Sequence, residues 1–161
     1  MPTLMAMDTS LGEFHILASE RGILNVTFPG RAPQVFSNHT RVSDESGRGV
    51  AQAAVAELQA YLDGDRRVFE VPVDLRGFTS FQQDIYHALM QVPYGETISY
   101  GELAMSAGHP GAARAVGSAM KRNPAVLIIP CHRVVGAKGK PGGWSGPKGF
   151  KEYFLELESN H

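Results

Sequence analysis

One cysteine, Cys131, occurs in 161 residues. A single thiol excludes an internal disulfide and any metal centre that needs two thiolates. It fits a reducing compartment, the cytoplasm or, in a bacterium, its nucleoid. No run of about 18 apolar residues is present, so no membrane-spanning helix is expected. The first residues, MPTLMAMDTSLGE, lack a basic stretch followed by an apolar one, so no secretory signal is expected. Net charge is nearly absent, −1 at pH 7, and by itself gives little sign of a polyanionic partner. The distribution of charge differs from its total. Residues 1–113 hold 7 Lys+Arg against 13 Asp+Glu, whereas residues 114–161 hold 8 against 3. Such a basic C-terminal third is either a phosphate footprint or a locally basic solvated face.

Apolar residues make up 43% of the chain and charged residues 19%, enough for a buried core and against disorder. The length suits one domain or two small lobes. Residues 3–8, 12–18 and 22–28 read as three strands, the first two joined by a turn at Ser10-Leu11-Gly12. The polar stretch 29–49 reads as loop. Residues 50–62 follow as a helix, with Val55, Leu58 and Leu62 at helical spacing and Gly64 beyond its end. Residues 68–73, VFEVPV, read as a short strand that Pro72 confines to an edge. Arg76-Gly77 reads as the joint between two lobes.

The second half reads as helical. Thr79 to Gln82 has the form of a capping box, followed by Phe81, Ile85 and Leu89 on one face. Ser99 to Glu102 is a second capping box, opening a short helix to about Ala107 with Gly108 as its stop. After Pro110-Gly111 another helix runs from about Ala112 to Arg122 and ends before Pro124. Two short helices across a tight glycine-containing turn make a helix-turn-helix pattern. On the second of them, Ala113, Val116, Gly117 and Met120 share one face, and Arg114, Ser118 and Lys121 another. Small side chains and cations suit close approach to a duplex, although helix pairs of this kind also occur in proteins that never touch DNA.

Residues 126–129, VLII, form a continuous buried run that leads into Pro130-Cys131-His132-Arg133. A thiol needs a nearby base or positive charge to become a nucleophile at neutral pH. His132 is the adjacent base, yet neighbours on a strand point to opposite faces, so contact needs a turn or a bridging water. In the last helix, which follows a glycine-rich loop, Phe150, Phe154 and Leu157 share a side, and Glu158 lies about 40° from Phe154. A carboxylate there could orient His132, giving a Cys–His–acid arrangement. The plainer alternatives are a buried structural cysteine and a frayed terminal acid.

Several strings in this chain resemble one family closely: FQQDIYHAL at 81–89, VPYGETISYGELA at 92–104, GAARAVGSAM at 111–120, RNP at 122–124 and IPCHRVVGAKG at 129–139. They are similar to the O6-alkylguanine-DNA alkyltransferases, densely from about Thr79 to Glu158 and more loosely through DTSLGEFHILAS and GILNVTFPG. The resemblance implies an α/β fold of two lobes. Residues 1–77 would form an RNase H-like α/β lobe, and residues 78–161 a winged-helix-like lobe that carries the helix-turn-helix and the alkyl acceptor. It implies a duplex containing alkylated guanine as partner, approached from the minor groove, with the target nucleotide flipped out of the stack. It implies a monomer that needs no cofactor and no metal. The alkyl group, from O6-alkylguanine and also from O4-alkylthymine, would pass once and irreversibly to the protein.

Carried over by position, Cys131 is the alkyl acceptor and His132 a base acting through water, with Glu158 behind it. Tyr100 donates toward guanine N3, and Asn123 shapes the reactive turn. Arg114 inserts into the duplex, and Ala113, Ser118, Lys121 and Arg133 complete the DNA contacts. Val126, Trp144 and Ser145 line the alkyl pocket. The chain departs from the family at Trp144, where tyrosine is more usual. It departs again at Pro147 and Lys148, where glycine and an apolar residue are usual. These positions bear on which alkyl groups are accepted. Three other readings stand beside this one. A lesion-binding protein would lack the reactive cysteine. A helix-turn-helix regulator would not need it. A thiol hydrolase built on Cys131, His132 and Glu158 would turn over.

Overall fold

The computed structural model describes residues 2–31, 47–136 and 146–161. The chain divides into two compact units. One holds residues 1–76 with 124–126, and the other holds residues 77–123 with 127–161.

In the first unit, β1 (Thr3–Thr9), β2 (Gly12–Ser19) and β3 (Gly22–Thr27) form an antiparallel sheet in the order β1-β2-β3. Phe14 and Ile16 of β2 point to the same buried face, as alternation requires. The β2–β3 register then shifts between Leu17 and Ala18, and all of Ile16, Leu17 and Ala18 are buried. Helix α1 (Arg48–Leu62) covers the sheet, but with a different face from the one its large residues predict. The buried ridge is Ala51, Ala54, Leu58 and Tyr61, while Val55 and Leu62 are half-buried. Alanines let helix and sheet approach closely. At Gly47, just ahead of the helix, an added Cβ would run into the carbonyl of Ala18.

The strand predicted over 68–73 does not form. Only Val73 pairs, in a parallel bridge with Ile23. Pro72 has no N–H to give a ladder. The N–H groups of Glu70 and Val71 donate instead to the carboxylate of Glu57 on α1, at 2.8 and 3.2 Å. Asp74 ends this segment, nearly buried. It accepts from the Ser19 hydroxyl at 2.8 Å and from Arg76 Nε and Nη2 at 2.9 and 2.6 Å.

In the second unit both predicted capping boxes are present. Thr79 and Gln82 open α2 (Ser80–Met90), and Ser99 and Glu102 open α3 (Tyr100–Ser106). Helix α3 stops as a Schellman motif: Gly108 takes φ 86°, its N–H reaches Met105 C=O, and His109 N–H reaches Ala104 C=O. The chain then turns into α4 (Ala113–Lys121). The short strands β4 (Ile98–Ser99) and β5 (Val134–Val135) pair in parallel, and α5 (Phe150–Asn160) closes the chain. Ile85, Tyr86, Leu89, Leu103, Val116, Ile129 and Phe154 form this unit's core. No helix among the described residues is long and apolar enough to cross a membrane.

Candidate active site

The run 127–130 does not continue as a strand into Cys131. Leu127 takes φ 70°, a conformation uncommon outside glycine. Pro130, at φ −80° and ψ 68°, is the centre of an inverse γ-turn that Cys131 N–H closes onto Ile129 C=O at 2.8 Å. The same carbonyl accepts from the Asn123 carboxamide at 2.8 Å. Cys131–Arg133 then form one turn of 3₁₀ helix, closed by Arg133 N–H on Pro130 C=O at 2.9 Å. This is the turn that lets Cys131 and its neighbours face one interior, where a strand would have separated them.

All three residues of the turn are buried, Cys131 at 7% exposure and His132 at 1%. Helix α5 supplies the groups behind them, because its buried ridge is Lys151, Phe154 and Glu158, at i, i+3 and i+7. Leu157, predicted on the apolar side, is half-buried. Glu158 is no frayed terminal acid. Its Oε2 lies 2.6 Å from His132 Nε2, and its Oε1 accepts from Gly95 N–H at 3.1 Å. The ring of Phe154 packs on His132 with centroids 5.6 Å apart.

Burial pushes the Cys131 thiol up to about 11, against the Asn123 side chain, the charge of Lys151 and the N–H groups of Cys131 and His132, which all favour the thiolate. His132 is held below its ordinary value, chiefly by burial, with Glu158 pulling the other way. The Tyr100 phenol is raised by burial and by the charge that a Cys131 thiolate would place near it. Burial thus disfavours both the thiolate and the imidazolium, so removal of the thiol proton has to accompany reaction at sulfur.

Lys151 is a site residue that the sequence reading missed. It is 3% exposed, and its ammonium donates to Val134 C=O at 2.6 Å. Its place one turn before Phe154, on the ridge that carries Glu158, was the available signal. Arg133 corrects an expectation. Predicted to contact DNA, it is buried, and its guanidinium donates to Glu158 Oε1 and Oε2 at 2.8 and 3.0 Å and to Val92 C=O at 2.8 Å. A buried carboxylate needs a partner, and Arg133 supplies it at the expense of any reach to phosphate.

On α4, Val116, Ala119 and Met120 face inward, while Arg114, Ala115, Ser118 and Lys121 are exposed and Ala113 is half-buried. Val126 is buried in the first unit, where its N–H meets Val26 C=O at 3.4 Å. Trp144 and Ser145 lie outside the described residues.

Comparison with known proteins identifies the family. Residues 80–160 match the family described as 6-O-methylguanine DNA methyltransferase, DNA binding domain, and residues 4–75 match its ribonuclease-like domain. The methylated-DNA–protein-cysteine methyltransferase of Mycobacterium leprae is 50% identical over 96% of this chain and 91% of its own. The protein of that description from Methanosarcina acetivorans is 37% identical over 95% and 96%. Among solved structures, the O6-methylguanine methyltransferase of Mycobacterium tuberculosis superposes with a TM-score of 0.84 at 39% identity, covering 99% of this chain and 94% of that one. Mycobacterium tuberculosis OGT in complex with DNA gives 0.81 at 41% identity, over 96% and 91%. A ribonuclease-like unit, a helix-turn-helix unit and a buried Cys–His–Glu cluster occur together here, and the chain belongs to the methylated-DNA–protein-cysteine methyltransferase family.

Proposed function

We propose that the chain repairs DNA by taking the alkyl group of O6-alkylguanine onto Cys131, once per molecule, with O4-alkylthymine accepted by the same displacement. The observation that carries the reading is the buried His132–Glu158 pair, with His132 in the same 3₁₀ turn as the buried Cys131. Since Glu158 holds Nε2, Nδ1 is the nitrogen that takes the Cys131 proton, through a bridging water. The sulfur attacks the alkyl carbon in line with O6. The S–C bond forms, the C–O6 bond breaks, and its electron pair leaves with the guanine. Tyr100 donates to guanine N3 as negative charge grows there. The products are an S-alkylcysteine and guanine, so no oxidant, reductant or cofactor enters the balance.

The duplex binds through the exposed face of α4, from the minor groove, and the damaged nucleotide is flipped out of the stack because its O6 is unreachable inside it. Arg114 fills the place it leaves. Ala113, Ser118 and Lys121 meet the backbone nearby. Asn123 holds the reactive turn. Residues 1–77 and 78–161 act as the two functional domains of a monomer, working in a cytoplasm whose reducing conditions keep the thiol free.

The test is mass spectrometry after incubation with a duplex carrying O6-methylguanine. One methyl on the peptide containing Cys131, absent from Cys131→Ser, is expected. Lesion-dependent binding without an adduct would make the protein a non-enzymatic lesion binder. Turnover of a thioester would make it a hydrolase.

A further inference from the structure

Glu158 accepts from His132, Arg133 and the Gly95 N–H, and the proton transfer proposed above uses only the first of these. Arg133 occupies both carboxylate oxygens, at 2.8 and 3.0 Å, while His132 shares Oε2 at 2.6 Å. Arg133 is fixed in turn by Val92 C=O at 2.8 Å, and its guanidinium lies 5.7 Å from the centre of the Tyr94 ring. A carboxylate this close to an imidazole favours the imidazolium. An imidazolium cannot accept the thiol proton, so an unopposed Glu158 would disable the base that it orients.

The groups around His132 set the balance. Helix α5 contributes Glu158 and Lys151, the turn contributes Arg133, and the Phe154 ring adds no charge. With Arg133 and Lys151 cationic and Glu158 anionic, the cluster is already net positive while the imidazole is neutral. Protonating His132 would add a second uncompensated charge in a buried place, which is unfavourable. Burial, Arg133 and Lys151 all act in this direction, against Glu158.

We propose that Arg133 is a positioning residue for alkyl transfer: by forking across Glu158 it holds the carboxylate against His132 while cancelling its charge, so that His132 stays oriented and unprotonated. This rests on the base role proposed for His132. A lysine could not do both tasks, since it lacks the planar fork. The feature lies in the second half of the PCHR string, and nothing in the string separates it from a phosphate contact.

The test is an NMR titration of the His132 imidazole in the whole chain, assigned with His132→Gln, beside the pH profile of methyl transfer. In the parent protein His132 is expected to remain neutral to below the ordinary histidine value of 6.5. Titration at or above that value would overturn the proposal with no substitution needed. In Arg133→Gln, which keeps a donor but no charge, the midpoint and the acidic limb of the transfer rate should both move to higher pH. In Arg133→Lys they should stay near the parent's, with a lower rate at every pH. A folded Arg133→Gln with an unmoved midpoint would refute it. If His132→Gln transferred methyl as fast as the parent, the base role would fail while the effect of Arg133 on the imidazole stood.

Discussion

The side chain of Asn123 and the carbonyl of Ile129 are joined by a 2.8 Å hydrogen bond that ties the end of α4 to the turn carrying Cys131. That carbonyl also receives Cys131 N–H, and Asn123 itself favours the thiolate. Replacing Asn123 with alanine should loosen the turn, the carbonyl keeping only its bond from Cys131 N–H, and lower stability by about 0.5–1.5 kcal/mol. Denaturant unfolding would read the stability. Quantified S-methylcysteine would read the transfer rate, expected to fall more than the stability alone explains.

Glu158→Gln should slow methyl transfer strongly with lesion affinity nearly unchanged, because the carboxylate is buried against His132 and Arg133. His132→Ala should behave similarly. A gel-shift titration beside a single-turnover rate separates the two quantities. Equal rates in parent and variants would remove the pair from the reaction.

Arg114 is exposed on α4 and Met120, two turns on, is buried. Arg114→Ala should therefore leave thermal unfolding within about 0.5 kcal/mol of the parent. It should weaken duplex binding and lower the salt dependence by about one counterion. Fluorescence anisotropy at several salt concentrations would check this. Unchanged affinity and salt slope would argue against an inserted or phosphate-bound arginine.

With the Cys131 thiol pushed up to about 11, the free protein should react slowly with iodoacetamide at neutral pH. The rate should climb about tenfold per pH unit while the thiolate is the minor form. Lys151→Met removes a charge that favours the thiolate, so its curve should lie to the alkaline side of the parent's. A curve that levels off near pH 8 would mean that the thiol is already activated before DNA binds.

Asp74 is held at about 2, below its ordinary 3.8, chiefly by the hydrogen bond from Arg76 and in spite of its burial. A depressed carboxyl stabilises the fold above its unfolded value and loses that contribution as pH falls through the folded one. Asp74→Asn should therefore cost about 1–3 kcal/mol at pH 7. The difference from the parent should shrink between pH 4 and pH 2. Urea unfolding across that range would test it, and a difference independent of pH would place the effect elsewhere.

The three strands, the two capping boxes and the helix stop at Gly108 could be read locally, because each depends on alternation, a side chain three residues away, or one glycine. The face of α1 could not. Large residues mark Val55, Leu58 and Leu62, but the sheet accepts the alanine ridge that lets the helix come close. The edge strand at 68–73 was misread because its N–H groups found a carboxylate on α1, 13 and 14 residues away in sequence. A period-two pattern says nothing of such a competitor.

At the candidate site, residue type and helical period already mark the groups that come together. The chain holds one thiol, a histidine beside it, a turn-forming proline before it, and an acid on the inner side of the last helix. Those follow from residue type and helical period. Which charges face one another follows from the folding of the chain. Arg133 turned inward to Glu158 instead of outward to phosphate, and Lys151 joined it from the ridge of α5. A buried carboxylate must be paired, and whether the nearest cation comes from the next residue or from another helix depends on distances that no local pattern contains.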